Sequence, residues 1–157
     1  MSIQIPNLHT SNKTEVRAAA EVFVKRRQDA IHAGVFSVRG TLTFNPTADN
    51  YPSGTMQIRV DLSDSAKGVF VVKTVEQLDT TGKHTATAYA TGRCAADVNV
   101  RAMGCRYWLM LADNKREREE QTPDVISFLV YDRNGKRVAY GTGPVARGDV
   151  TIAPTSE

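Results

Sequence analysis

The sequence predicts a mainly β fold: an antiparallel β-sandwich or barrel of about seven to eight strands, preceded by one N-terminal amphipathic α-helix. Three observations predict it. Apolar residues alternate with polar ones at period two over most of the chain after Gly34. Turn residues interrupt that alternation at short intervals. No strand–helix alternation of the kind that builds a parallel sheet is present.

The helix is predicted over residues 13–33. Val16, Ala19, Ala20, Phe23, Ala30 and Ile31 fall on one helical stripe. Asn12 and Glu15 stand as in a capping box, Lys25, Arg26, Arg27 and His32 suit the negative end of a helix dipole, and Gly34 is a stop. Strands follow from residue 35. Phe36, Val38, Leu42 and Phe44 share one face, and Asn45 to Gly54 reads as a loop. Met56, Ile58, Val60 and Leu62 alternate with Gln57, Arg59 and Asp61 as a half-buried strand. Val69 to Leu78 is apolar enough to be covered on both faces, and the alanines of Lys83 to Thr91 suit a crowded one. In Cys105 to Asp113, Tyr107, Leu109 and Leu111 oppose Trp108 and Met110. Asp124 to Tyr131 leads into the turn Asp132-Arg133-Asn134-Gly135 and a returning strand, Arg137 to Tyr140. A Gly-rich loop, Gly141 to Gly148, precedes a short last strand, Asp149 to Ile152. The expected organisation is a tail over 1–12, one domain over 13–153 (helix 13–33, β-domain 35–153) and a tail over 154–157.

With 157 residues, the chain is long enough to bury roughly 69% of its surface without a metal or disulfide. The formal charge of +3 compels no polyanion partner. Cys94 and Cys105 are not spaced as C-x-x-C, and two thiols cannot complete a zinc site. They suit either a pair of small core residues or a disulfide. Met1 to Lys13 lacks the apolar core of a secretory signal, so the expected location is the cytoplasm, with the surface or a non-classical secretion route as the alternative.

From Thr85 onward the chain has a distinct cadence. Gly104-Cys105-Arg106-Tyr107-Trp108 enters a strand ending in Asp113, Asp124-Val125-Ile126-Ser127-Phe128-Leu129-Val130 follows, and a glycine turn, Tyr140 and a glycine-containing approach to Ile152 close it. This resembles the post-COAP domain of bacterial surface and secreted proteins, over residues 35–153 at most. The resemblance implies an accessory, non-enzymatic module and transfers no catalytic residue. The missing signal segment, the long helix in front and the charged run Lys115 to Glu120 depart from that pattern.

Signatures of chemistry are sparse. His9, His32 and His84 have no partner at metal-ligand spacing, and neither H-E-x-x-H nor G-x-S-x-G occurs. No catalytic residue and no cofactor is assigned. Asp113, Asn114 and Asp124 flank one loop and are candidate ligands of a hard cation. Lys25, Arg26 and Arg27 are candidate phosphate contacts for nucleic acid. Phe36, Phe44, Met56, Phe70, Trp108, Met110 and Phe128 are candidates to line a barrel cavity for a small apolar ligand. Tyr107, Trp108, Tyr131 and Tyr140 are candidate stacking rings for a sugar, although parity allows only one of Tyr107 and Trp108 on that surface. Arg147-Gly148-Asp149 spells an adhesion tripeptide and reads as a turn. The leading expectation is a non-enzymatic structural or interaction module that self-associates as a homo-oligomer or docks another protein, with no membrane span. Apolar-ligand binding and nucleic-acid binding are the alternatives.

Overall fold

The computed structural model describes residues 14–24, 34–62, 66–81, 86–99, 101–114 and 123–153. They form nine strands: β1 (Thr14–Val24), β2 (Gly34–Phe44), β3 (Ser53–Leu62), β4 (Ala66–Val72), β5 (Gln77–Thr81), β6 (Ala86–Val98), β7 (Arg101–Asp113), β8 (Val125–Asp132) and β9 (Arg137–Ala153). Strands β1 to β4 form one antiparallel meander and β6 to β9 a second. Pairing of β4 with β6 and of β9 with β1 closes them into an eight-stranded antiparallel barrel. The ninth strand, β5, continues along the same edge of β6 beyond β4, with Leu78 opposite Ala90.

The alternation read from the sequence becomes the inside and outside of this barrel. Met56, Ile58, Val60 and Leu62 are all buried, as are Phe36, Val38 and Leu42. Eight strands leave an interior about wide enough for side chains to fill. The Phe36 and Phe128 rings meet edge to face there, 4.8 Å apart. Gly141 faces the same space: a Cβ at that position would lie 2.9 Å from both rings. Packing rather than turn geometry accounts for this glycine.

Three expectations are corrected. Residues 14–24 are strand, not the first half of a helix. Val16, Ala18, Ala20 and Val22 are buried at period two while Arg17, Ala19 and Phe23 face out. The run Ala18-Ala19-Ala20 is apolar on both parities, so helical and strand periods both fit it. Alanine's helix preference then loses to two full ladders, one with β2 and one with β9. Second, the expected Gly141–Gly148 loop lies inside β9, a single 17-residue strand with one register shift against β1 and one against β8. Arg147, Gly148 and Asp149 pair with Glu21, Ala20 and Ala19 and form no isolated turn. Third, Val69 to Leu78 is not one strand but two, β4 and β5, and the outward Val69 and Val71 of β4 are half-buried. Between them Lys73 and Thr74 both donate to the Arg93 carbonyl, and the Thr74 carbonyl accepts the buried Tyr107 hydroxyl at 2.9 Å.

The rest of the expected helix, the expected tails, all three histidines and the charged run 115–120 lie outside the described residues. Among the described residues no helix is long and apolar enough to cross a membrane.

Candidate binding face

On β6 to β9 the outward parity carries two parallel rows of unusual composition. One row reads Thr91, Trp108, Leu129, Tyr140 across the four strands, each residue opposite the next. Trp108, Leu129 and Tyr140 are half-buried. The second row, two residues along each strand apart from a one-residue bulge at Val138, reads Arg93, Arg106, Tyr131, Arg137. Tyr89 and Met110 flank the first row on its other side, beside Ser127 and Thr142, whose hydroxyls are 2.6 Å apart.

The rings and cations are held in place. Tyr89 and Trp108 lie 6.2 Å apart, centroid to centroid. The Arg137 guanidinium stacks 4.2 Å over the Tyr140 ring. Arg106 donates to Glu76 at 2.7 Å. This hydrogen bond, with the charges of Arg106 and Arg93, holds the Glu76 carboxyl below its ordinary value, against the opposing effect of desolvation. The hairpin after β8 is fixed by its own aspartate: Asp132 Oδ1 accepts the amides of Asn134 and Lys136, each at 2.9 Å. That turn projects Arg133 over Gly104, where a Cβ would stand 2.7 Å from the arginine Nε.

Beyond the arginine row lies a groove of about 800 Å³, lined by Lys73, Arg93, Ala95, Gly104, Arg106 and Arg133. Among the described residues no ion pair joins Lys73, Arg93 or Arg133 to a carboxylate. Below this end, on the inward side, Cys94 and Cys105 stand opposite each other in β6 and β7, with Cα atoms 4.9 Å apart, and form a disulfide. Of the two readings open in the sequence, the structure has the disulfide, which cross-links the hairpin that carries Arg93 and Arg106.

The candidate residues named from sequence distribute as follows. Asp113, Asn114 and Asp124 do converge, but on amides. Asp124 accepts from Asn114 N at 3.0 Å and Val150 N at 3.1 Å, Asp113 accepts from Ile152 N at 3.2 Å, and both carboxylates are buried. Among the described residues no group of three His, Cys, Asp or Glu side chains is placed to hold a metal ion. The trio is a clasp that ties the ends of β7 and β8 to β9. Of the seven candidate cavity residues, Phe36, Met56, Phe70 and Phe128 are inside and Phe44 packs against the core, whereas Trp108 and Met110 are on the outer face. The seven therefore do not line one cavity. Parity separates Tyr107, buried, from Trp108, and Trp108, Tyr131 and Tyr140 emerge together. Lys25, Arg26 and Arg27 lie outside the described residues.

Sequence reasoning missed the arginine row. Its signal was present: Tyr89, Thr91 and Arg93 share a parity, as do Arg106, Trp108 and Met110. Only the register between strands sets those two sets side by side. No family model matches the chain, and no curated protein or solved structure matches it either.

Proposed function

We propose that this protein is a non-enzymatic binding module whose contact surface is the outer face of β6 to β9. The observation that carries this reading is the row Trp108–Leu129–Tyr140, half-buried side by side on the outward parity of adjacent strands, with the exposed rings of Tyr89 and Tyr131 on either side of it. The fold does not need it, because closing a barrel constrains only the inward parity. Clustered surface aromatics with arginines beside them are the composition of contact surfaces. The resemblance to accessory surface modules implies the same class of role. The disulfide supports the surface or secreted location among the two expected, since cytosolic thiols are kept reduced.

Self-association was expected from a helical stripe, and that stripe is a strand over residues 14–24. The aromatic face takes its place as the surface that meets a partner. Trp108 is the single tryptophan, so acrylamide quenching of its fluorescence reports on this face alone. The expected result is ready quenching in dilute protein. Protection that develops with protein concentration makes the partner a second copy. A Trp108 shielded at every concentration overturns the reading.

A further inference from the structure

We propose that the outer face of β6 to β9 binds single-stranded nucleic acid, with phosphates along the arginine row and bases on the aromatic row. The inference rests on the reading of this face as a contact surface and assigns its ligand. Three observations carry it.

The first is the pair of rows. A single strand is a polymer with charge along one edge and flat apolar rings along the other. The arginine row and the aromatic row run parallel across the sheet, two residues apart, or about 7 Å at the rise of an antiparallel strand. Rings and cations also meet at one end of the face, where Tyr131 lies within the arginine row and Arg137 over Tyr140, so an acidic polysaccharide, whose charge sits on the stacking ring itself, is the competitor that the test includes.

The second is charge. Around the groove and the arginine row stand six cations, Lys73, Arg93, Arg106, Arg133, Lys136 and Arg137, against three carboxylates, Glu76, Asp97 and Asp132. Glu76 holds Arg106, and Asp132 is engaged by its own turn. The remaining excess faces where phosphates would lie. Asp79, the carboxylate beside Tyr89, is on the far side of the aromatic row.

The third is the state of the rings. Trp108 rests half-buried on the sheet, a platform on which any base can stack without sequence readout. The Tyr140 ring carries the Arg137 guanidinium, so a base meets that ring together with its cation. The proposal concerns the chemistry of the polymer and holds for either compartment.

The test is fluorescence anisotropy of labelled oligothymidylate and oligouridylate titrated with the full chain, with the matching duplex and polygalacturonate as competitors. Binding is expected for the single strands, with Trp108 emission changing in step and affinity falling about twentyfold between about 50 and about 200 mM salt if three phosphates are met. Trp108→Leu and Tyr140→Leu should each weaken binding about tenfold and leave the salt slope unchanged. Arg93→Gln with Arg137→Gln should flatten the slope by about 1.4. Lys73→Gln with Arg133→Gln, both exposed, gives a second pair in case the first does not fold. The proposal is overturned by no anisotropy change at low salt, by equal competition from polygalacturonate, or by slopes that ignore every arginine substitution. If Trp108 is open to acrylamide and none of these strands binds, the ligand assignment fails while the binding-face reading stands. If Trp108 is shielded throughout, both fail.

Discussion

The two halves of the barrel are alike inside and unlike outside. Inward, β1 to β4 and β6 to β9 both present buried aliphatic and aromatic side chains in alternation, interrupted at the register shifts of β9. Outward, β1 to β4 carry Glu15, Arg17, Glu21, Arg39, Arg59, Asp61 and Lys67, of mixed sign and paired locally, Arg17 with Glu15 and Lys67 with Asp61. Phe23, Val35, Val69 and Val71 are apolar exceptions there. The outer face of β6 to β9 instead gathers Trp108, Leu129 and Tyr140 into one row and three arginines with Tyr131 into the next. The shared interior is what a barrel requires. The sorted exterior is what a barrel does not require, and the function is read from it.

Substitutions that separate inside from outside test this difference. The largest effect belongs to the interior: Phe128→Ala removes a ring at the centre of the core and should cost about 3–5 kcal/mol in denaturant unfolding. Trp108→Ala, twenty positions earlier and equally aromatic but outside, should cost much less. If the two destabilise alike, Trp108 is a packing residue. Reducing the Cys94–Cys105 disulfide should lower stability by up to about 3 kcal/mol, visible as a lower melting temperature with dithiothreitol. Asp124→Ala, which strips the acceptor from two amides at the barrel's end, should cost about 2–3 kcal/mol, and EDTA should leave the melting temperature unchanged if the trio is a clasp.

A smaller effect follows from Tyr107. Burial first, and the charge of Glu76 second, raise its phenol above the ordinary value. Folding therefore favours the neutral phenol. Its contribution is complete below the ordinary tyrosine pKa and is lost as pH rises through the folded one. Alkaline titration followed by ultraviolet absorbance should show one phenol ionising late, and Tyr107→Phe should remove that late step. The smallest effect is on the charged half: Arg17→Ala should change stability by about 0.5 kcal/mol or less, because its pair with Glu15 is exposed.

How much of this was legible in the sequence differs between the same two regions. Met56 to Leu62 and Cys105 to Asp113 declare their inward faces because bulky apolar residues occupy one parity only. Thr14 to Val24 does not, since its three consecutive alanines fit a strand and a helix equally. Gly141 reads as a loop residue because the two rings that require its missing side chain, Phe36 and Phe128, come from other strands. Parity alone separated Tyr107 from Trp108. The binding face was illegible for a different reason. Arg93, Arg106 and Arg137 are far apart in the chain, and no local pattern records that the register of three hairpins lines them up. Asp113, Asn114 and Asp124 flank one loop in the sequence, but their hydrogen bonds depend on β9 amides that composition does not reveal.

The most direct measurement compares two matched double variants in the same oligothymidylate titration: Trp108→Leu with Tyr140→Leu on the sorted face, and Arg17→Gln with Arg39→Gln on the charged one. The sorted-face pair should lose binding by about a hundredfold while the charged-face pair binds within about twofold of the parent protein. Equal losses in the two pairs, or no loss in the first, would contradict the assignment of function to the outer face of β6 to β9.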